Sequence, residues 1–460
     1  MTIDTLTQPE HQVTGTLPVQ FVFDELHRAG IRYALLRGFD ELFHGSDDLE
    51  IDLLVHPDDV AKLNNCLAPK GFVETPAWGH APHRFLLAFR RDFGHWLKLD
   101  VVADLRYGRP IRKYQVDLRE QCLEGRRFDG IYQLSQEHEF LTLLLHCLLD
   151  KGRFDDKHKK QLCFLLQNIQ RGAQSADVLR ELVVSHMHPA VDWELIVKTV
   201  ETDDWDQLLK KEQALRRQFG RKSPVRNLAR SWKARFMLRM RPVLFGLFRH
   251  GVSVALLAPD GAGKSTLAGS LVRDKKLRAR LIYMGTNPEA RTVGLPLLTT
   301  MNDLEKRIRK QERRKTVAGR LVRATNFVLT LLDHWYRCLV AKYNLVRGRF
   351  VVFDRFVYDA WIQKRNKTPW KRLRRFLFDA PCPTPDLVIL LDAPGVLLFE
   401  RKGEHSVEWI EQQRAGYHQL KQLLPQMRVV DASRTAVQVR AEVISLIWQI
   451  YDRKSRGSGS

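Results

Sequence analysis

The chain has 460 residues, of which 44% are hydrophobic and 28% charged, a composition typical of a soluble protein with two or three globular domains. Its formal net charge of +22 predicts an anionic partner, which a nucleic acid, a membrane surface or a phosphorylated substrate could supply. The six cysteines form no Cys-x-x-Cys pair and no apolar run reaches about 18 residues, which excludes a disulfide framework, a zinc knuckle and a membrane-spanning helix.

The first predicted domain spans 16–215, and its early strands carry acidic residues. An apolar strand ends at Arg37-Gly38, and the alternating segment LEIDLLV follows at 49–55. Alternation places Glu50 and Asp52 on one face, where neighbouring carboxylates repel each other unless a cation bridges them. Asp100, in a later predicted strand, supplies a third carboxylate. The three carboxylates predict a metal site, with Mg²⁺ held against a nucleotide triphosphate.

This pattern resembles the polymerase-β-like nucleotidyltransferase superfamily, in particular a bacterial branch with a [KR]-G start and a D-h-D-h-h-V strand. The resemblance covers about 16–170, implies an α/β domain, and extends to a helical tail at 138–167. Phe39 follows Gly38 where the superfamily usually has Gly or Ser, and Glu50 stands where Asp is usual. Two alternatives stay open: an active nucleotidyltransferase, or a degenerate domain that binds a substrate or partner.

A basic linker is predicted at 216–249. Between Glu212 and Asp260 the sequence has no acidic residue, while eleven Arg and Lys occur within the linker. Apolar residues such as Trp232 and Phe236 recur at helical spacing until Pro242, where we expect the helix to be interrupted. The linker is either a solvated connector or an amphipathic segment that contacts anionic lipid or a nucleic-acid backbone.

The second predicted domain spans 250–452 and opens with a strand, a glycine loop and a helix. The strand VSVALLA leads into PDGAGKST, in which Ala258 replaces the first glycine of the usual phosphate-loop pattern. We expect Ala258 to be acceptable if its φ is negative. Backbone N–H groups of the loop would face phosphate, Lys264 would reach the β- and γ-phosphates, and the Ser265 hydroxyl would lie on Mg²⁺. The predicted ATP-binding residues are Asp260, Gly261, Ala262, Gly263, Lys264, Ser265 and Thr266.

Two further apolar strands end in charged residues. RFVVFDR ends in Asp354-Arg355, and PDLVILLDAP contains Asp392. Because the carboxyl ends of parallel strands line the ligand crevice, we predict that Asp354 holds the magnesium shell and that Arg355 clamps a phosphoryl group. Asp392 has two interpretations, a site residue or ordinary turn chemistry.

The motifs LLAPDGAGKST, VVFDRF, PDLVILLDAP, ERKGEHSVEWIEQQRAGYHQL and VVDAS occur in this order and resemble the thymidylate kinase-like group of nucleoside monophosphate kinases over about 250–450. The resemblance implies an α/β P-loop kinase fold, a parallel sheet flanked by helices. It implies that Asp260 faces the acceptor's sugar hydroxyl and that Arg355 binds the acceptor phosphate. Arg401, Lys402 and Arg414 would lie on a lid that closes over the transferring phosphoryl group, and Ser433 would lie near adenine.

The acceptor is less constrained, because the segment after Arg355 reads FVYDAWIQK, with Tyr358, Asp359 and Trp361 where thymidylate kinases have small polar residues and a Gln. The block RKGEHSVEWIEQQRAGY is similar to thymidylate kinase-like proteins of bacterial surface-polysaccharide gene sets. We therefore predict an ATP- and Mg²⁺-dependent phosphotransferase for an anionic small-molecule or lipid-linked acceptor that is phosphorylated or contains a sugar.

Two other functions are consistent with the residues: a nucleic-acid end-processing enzyme, and an ATP-gated binding protein with a vestigial first domain. The polar N-terminus lacks a signal-peptide pattern, so a cytoplasmic location is expected, with peripheral membrane contact through the linker as an alternative. The tail at 453–460 is expected to be disordered.

Overall fold

A computed structural model of the chain describes residues 19–38, 48–92, 94–248, 251–285, 292–295, 300, 303, 307, 316–362 and 368–457. The chain divides into two compact units. The first unit comprises 1–88 and 96–239, and the second comprises 89–95 and 240–460. Residues 16–18 of the first predicted domain, Phe39, and 458–460 of the predicted tail lie outside the described residues.

The first unit contains a seven-stranded mixed sheet with the order β3-β4-β5-β2-β1-β9-β8, and a separate two-stranded sheet, β6-β7. The strands are β1 (Tyr33–Arg37), β2 (Asp48–Val55), β3 (Val73–Thr75), β4 (His83–Arg90), β5 (His95–Val102), β6 (Arg106–Tyr107), β7 (Tyr114–Gln115), β8 (Arg127–Asp129) and β9 (Ile131–Gln133).

The helices that begin in the first unit are α1 (Gln20–Arg28), α2 (Val60–Leu67), α3 (Arg119–Glu124), α4 (Gln136–Leu145), α5 (Asp156–Arg171), α6 (Ala173–His186), α7 (Trp193–Thr202), α8 (Asp206–Leu209), α9 (Glu212–Lys222) and α10 (Pro224–Phe248). A π-helical turn, His146–Lys151, continues α4. Leucine side chains of α4 and α5 form the centre of the helical core, with Leu144, Leu145 and Leu166 almost completely buried. This burial explains why α4 and α5 follow the sheet as a packed helical extension.

The second unit contains a five-stranded sheet with the order β11-β12-β10-β13-β14, and every strand pair in it is parallel. The strands are β10 (Ser253–Leu257), β11 (Arg280–Tyr283), β12 (Val351–Asp354), β13 (Leu387–Asp392) and β14 (Met427–Asp431). The helices are α11 (Lys264–Arg273), α12 (Val317–Val346), α13 (Asp359–Ile362), α14 (Pro369–Asp379), α15 (Gly395–Lys402), α16 (Val407–Leu420) and α17 (Ala436–Gly457). The predicted α/β fold with a parallel sheet flanked by helices is confirmed.

The central strands of this sheet explain why the sequence forms it. Every residue of β10 and β12 is buried, as their continuous apolar runs require of strands covered by helices on both faces. Side-chain caps define where two helices begin: Thr316 accepts a hydrogen bond from the Gly319 N–H, and Ser406 accepts one from the Trp409 N–H. The parallel sheet brings the carboxyl ends of β10, β12 and β13 to one edge.

The predicted interruption at Pro242 is wrong, because α10 continues through this proline to Phe248. A proline inside a helix removes one backbone hydrogen bond. Packing stabilises the helix after this point, since a Cβ on Gly348 would overlap the Phe245 ring and a Cβ on Gly246 would lie 3.0 Å from Val346. These close contacts fix the helix where the missing hydrogen bond would have weakened it.

The predicted disordered tail is also wrong for its described part, because α17 extends to Gly457. Lys454 Nζ lies 2.7 Å from Asp386 Oδ1 and donates a hydrogen bond to the Gly251 carbonyl at 3.2 Å. Arg456 pairs with Asp452 one turn earlier. These contacts order the basic residues of a segment that was predicted to be disordered.

Candidate active site

The glycine loop of the second unit connects β10 to α11. Gly261 and Gly263 have φ values of +87° and +83°, a left-handed conformation that favours glycine. A Cβ at Gly261 would lie 2.5 Å from the Leu398 carbonyl oxygen, so no side chain fits there. Ala258 is buried and is not one of the described non-glycine residues with positive φ, as expected. The loop therefore has the backbone that a phosphate-binding loop needs, despite its missing first glycine.

Lys264 and Asp354 face each other at the base of the loop. Lys264 Nζ lies 3.6 Å from Asp354 Oδ1, and both side chains are buried. Within the described part of the chain, neither of these two atoms has a hydrogen-bond partner. Burial lowers the pKa of Lys264, because the charged ammonium is taken out of water. Since buried charges without hydrogen bonds are costly, this pair is arranged for a ligand that supplies them.

An open cleft extends from the loop across the ends of the strands. The described residues that line it are Pro259, Asp260, Gly261, Ala262, Gly263, Lys264, Ser265, Thr266, Tyr283, Asp354, Arg355, Arg401 and Lys402. The structure thus brings together all seven predicted loop residues with Asp354, Arg355 and Arg401. The Ser265 hydroxyl and the unpaired Asp354 oxygen offer the oxygen donors that Mg²⁺ prefers, so these residues fit the predicted metal.

Asp260 and Arg355 form an ion pair in the cleft. Arg355 Nη2 donates to Asp260 Oδ1 at 2.9 Å. Arg355 follows β12 with a φ of +60°, which is unusual for a residue with a side chain and is typical of residues held in place at functional sites. Lys402 and His405 also approach Asp260, at 3.9 and 3.7 Å. Three basic side chains therefore surround one carboxylate beside the phosphate loop.

Asp359 is a site residue that the sequence did not assign a role. Burial raises its pKa, and its Oδ1 accepts a hydrogen bond from the Tyr417 hydroxyl at 2.8 Å. Its Oδ2 has no hydrogen-bond partner among the described residues, and the charges of Lys264 and Arg355 act on it. Its place at the start of α13, five residues after the strand-end Asp354, was the available signal.

Tyr283 is another residue that the motifs missed. It lies at the carboxyl end of β11 and lines the cleft. The rule that ligands bind at the carboxyl ends of parallel strands would have found it, had the short strand RLIY been predicted.

The two remaining residues with predicted lid or adenine roles, Arg414 and Ser433, lie elsewhere. Arg414 donates to both carboxylate oxygens of Asp392, at 2.7 and 3.0 Å. Ser433 donates its hydroxyl to Asp431 at 2.6 Å. Neither residue is among the described lining residues of the cleft. Arg401, which does line it, donates to the Ala432 carbonyl at 2.8 Å and so connects the cleft to the 431–433 loop.

The acidic residues predicted in the first unit do converge. β2 and β5 are parallel neighbours, with Asp52 opposite Asp100. Oxygen atoms of Glu50, Asp52 and Asp100 all lie within 4.8 Å of one another. This confirms that alternation along β2 places the first two carboxylates on one face. We call these three residues the carboxylate cluster.

Each member of the carboxylate cluster already has a basic partner. Arg37 Nε lies 2.6 Å from Asp52, and His83 Nδ1 lies 2.5 Å from Asp100. Lys98 pairs with Glu50. Burial opposes ionisation of Asp52, but the charge and hydrogen bond of Arg37 hold its pKa below the usual range. The three carboxylates suit a hard cation such as Mg²⁺. The basic side chains, however, already contact the carboxylates that such a cation would bind.

The glycine loop, its buried lysine and the strand-end Asp and Arg define a P-loop phosphotransferase site in the second unit. Among the described residues, no helix is both long enough and apolar enough to span a membrane.

Two sequence relatives agree with this class. The probable thymidylate kinase of Thermococcus gammatolerans is 24% identical over 215 residues, which are 43% of this chain and 97% of that protein. The thymidylate kinase of Symbiobacterium thermophilum is 27% identical over 228 residues, which are 45% of this chain and 98% of that protein. A solved thymidylate kinase structure from Candida albicans covers 44% of this chain and 93% of its own, with 18% identity and a TM-score of 0.32. No family model matches the chain. The protein is a P-loop kinase that is similar to thymidylate kinases over 43–45% of its length.

Proposed function

We propose that the protein transfers the γ-phosphoryl group of ATP, with Mg²⁺, to a small acceptor that carries a phosphate or a sugar. One observation carries the proposal: the buried ammonium of Lys264 lies 3.6 Å from the buried carboxylate of Asp354, and neither of the facing atoms has a hydrogen-bond partner in the described part of the chain. A triphosphate with its metal ion would satisfy both groups at once.

The mechanism would rest mainly on positioning and charge. The N–H groups of the loop and the α11 N-terminus would hold the β- and γ-phosphates, and Lys264 would stabilise the negative charge that develops on the transferred group. Ser265 and Asp354 would hold Mg²⁺, which neutralises phosphate charge when it is bound. Arg355 would orient the acceptor for in-line attack, and Arg401 would lie against the phosphoryl group from the lid side.

The acceptor is the finer part of the proposal. The named relatives are thymidylate kinases, so thymidine monophosphate is the first acceptor to test. In this chain the segment after Arg355 packs Tyr358 against Trp361, with ring centroids 4.7 Å apart, and Arg375 lies over the Trp361 ring. Tyr358 and Trp361 pack in the core of the unit and are not among the described lining residues of the cleft. The segment that would seat a thymine ring therefore differs here, which favours an acceptor other than a thymine nucleotide. We propose a sugar-containing phosphate, with a place in surface-polysaccharide assembly.

A screen with γ-labelled ATP tests the proposal. Acceptors are thymidine monophosphate, the other nucleoside monophosphates, sugar phosphates and a lipid-linked phosphate, each with wild-type protein and with Lys264→Ala. Lys421→Ala is the matched control, because Lys421 is exposed at the end of α16 and does not line the cleft. Label transfer that survives Lys264→Ala contradicts the proposed site.

The high positive charge favours a second candidate, a kinase that acts on nucleic-acid ends. The same screen includes single-stranded oligonucleotides with a free 5′ hydroxyl. Transfer to those ends, without transfer to small phosphates, selects the second candidate. Binding of MgATP without transfer to any acceptor selects an ATP-gated binding protein.

For the first unit, we propose that the carboxylate cluster keeps a nucleotidyltransferase-like arrangement that binds a substrate or partner without tight metal binding. The ion pairs of Arg37 and Lys98 and the hydrogen bond of His83 support this, because these side chains already contact the three carboxylates. Nucleotide incorporation that requires Mg²⁺ and is abolished by Asp52→Ala would establish an active nucleotidyltransferase in its place.

A further inference from the structure

Helix α10 presents an apolar stripe to solvent. Val225, Leu228, Trp232 and Phe236 are separated by three or four residues, so they lie on one face of the helix. Their exposed fractions are 77%, 61%, 69% and 60%. We call these four residues the outer face of α10. Single exposed apolar residues are common, but four in a row on one helix, two of them aromatic, mark an interaction surface.

The orientation of the helix is fixed by its opposite face. Asn227, Ser231 and Ala234 are buried, although two of them are polar. Asn227 donates to the Phe219 carbonyl at 3.0 Å, and Arg230 donates to the Lys113 carbonyl at 3.2 Å. A surface helix ordinarily buries its apolar face. In α10 the face with the polar residues is buried instead, and the apolar face is exposed. Rotating the outer face inward would break these contacts.

Basic side chains border the outer face on both sides. The exposed cations of α10 are Arg226, Lys233, Arg235 and Arg239, and Arg217, Arg221 and Lys222 are exposed on α9 just before it. No acidic residue occurs in the sequence between Glu212 and Asp260, so no anion of the same segment neutralises them. An apolar stripe that contains Trp and Phe, flanked by Lys and Arg, is the pattern of a helix that lies in a membrane interface.

We propose that the outer face of α10 docks on an anionic lipid surface. The apolar side chains would enter the boundary between headgroups and acyl chains, and the flanking cations would contact the lipid phosphates. A second copy of the same helix would bring cations against cations, which disfavours self-association. A nucleic acid would attract the cations but leave Val225 and Leu228 in water. Charge and apolar character together therefore fit a lipid surface best.

The test measures co-sedimentation of the full-length protein with vesicles. One set is phosphatidylcholine alone, and the other is an equal mixture of phosphatidylcholine and phosphatidylglycerol. We expect binding to the anionic set only, weakened by salt. The double variant Trp232→Ser/Phe236→Ser should bind the anionic vesicles about tenfold or more weakly, because two large apolar side chains no longer enter the interface. Thermal melting followed by circular dichroism, unchanged in the variant, shows that both units of the protein are folded.

A matched control replaces two exposed apolar residues outside the basic segment. Phe164 on α5 and Val184 on α6 are 52% and 83% exposed, and Phe164→Ser/Val184→Ser should bind vesicles as the wild type does. A second readout uses brominated lipid, which quenches tryptophan fluorescence on contact. Trp232→Phe should keep binding and lose most of the quenching.

Three results would overturn the proposal. The first is equal vesicle binding by the wild type and the Trp232/Phe236 variant. The second is tight binding to duplex DNA that the apolar substitutions leave unchanged, without binding to vesicles. The third is a concentration-dependent dimer that these substitutions dissociate, again without vesicle binding.

Discussion

The two acidic sites of this protein differ in how their charges are satisfied. In the second unit, Lys264 and Asp354 are buried and face each other at 3.6 Å, and the facing atoms have no hydrogen-bond partner among the described residues. In the first unit, Asp52 and Asp100 have basic partners at 2.6 and 2.5 Å, and Glu50 has one as well. Both sites combine strand-borne carboxylates with cations, yet only the site of the second unit leaves buried charges without hydrogen bonds for a ligand to satisfy.

The difference supports the proposal that ATP and its metal ion bind in the second unit. Buried charges that lack hydrogen bonds raise the free energy of the unliganded protein, so part of that cost is recovered when a ligand binds. Charges that already pair must first separate, which lowers the affinity for any incoming cation. Sequence motifs compare the two sites only by their similarity to known families. The structure compares them by whether their buried charges lack hydrogen-bond partners.

The largest expected effect is at Lys264. Lys264→Ala should lower the rate of phosphoryl transfer by about 10²–10³-fold, since a charge that stabilises the transition state is lost. Transfer from γ-labelled ATP measures this. The paired variant is Ala258→Gly, which restores the usual motif and should change ATP affinity by no more than a few-fold. A large gain from Ala258→Gly would mean that the loop of the natural chain is compromised.

A smaller effect is expected at Arg355. Arg355→Ala should raise the KM for the phosphorylated acceptor by about 10- to 100-fold, the value of one charge-assisted hydrogen bond to an anion, while the KM for ATP changes little. Arg453→Ala, an exposed arginine of α17, is the control. Equal losses in the two KM values would show that Arg355 supports the whole cleft and does not discriminate the acceptor.

The buried carboxyl group of Asp359 should make the stability of the folded protein depend on pH. Burial raises its pKa in the folded protein, so the stability that depends on its protonated form is present below the ordinary Asp pKa and is lost as the pH rises through the raised value. Asp359→Asn cannot ionise. Its melting temperature relative to the wild type should therefore increase between pH 4 and pH 8, the interval above the ordinary pKa of about 3.8.

Thermal melts across this pH interval measure the difference in melting temperature between Asp359→Asn and the wild type. Because the chain has two units, the melting temperature is taken from the transition that MgATP shifts. A difference in melting temperature that is constant with pH would mean that Asp359 keeps its ordinary pKa in the fold.

The smallest effect is expected in the carboxylate cluster. Lys98→Ala removes the partner of Glu50 and should increase Mn²⁺ affinity of the cluster by about two- to fivefold, the range of a partly exposed ion pair. Titration of Mn²⁺ followed by its paramagnetic resonance measures free and bound ion. Lys62→Ala, whose partner Asp59 lies after the end of β2 and is not a member of the cluster, serves as the control. Weaker Mn²⁺ binding by Lys98→Ala would contradict the ranking of the two sites.

Local patterns predicted much of the phosphate site. The positive φ of Gly261 and Gly263, the buried strand before them and the strand-end position of Asp354 all follow from short segments of sequence. Alternation also predicted that Glu50 and Asp52 share a face. Such features depend on neighbours in the chain, and the backbone geometry of a strand or a glycine turn determines them.

What the sequence could not show were partners that come from distant elements. His83 reaches Asp100 across 17 positions, and Arg414 reaches Asp392 across 22, so no periodicity relates them. The same limit applies to Pro242, where tertiary packing outweighs a local helix breaker. Pairing and packing of this kind decide whether a charged residue is available to a ligand.

The number of MgATP sites in one chain tests most directly whether ATP binds at the glycine loop. Calorimetric titration of the full-length protein should give one MgATP per chain, with binding lost in Lys264→Ala and unchanged in Asp52→Asn. Two sites per chain, or binding that Asp52→Asn abolishes and Lys264→Ala leaves intact, would contradict the assignment of ATP to the glycine loop of the second unit.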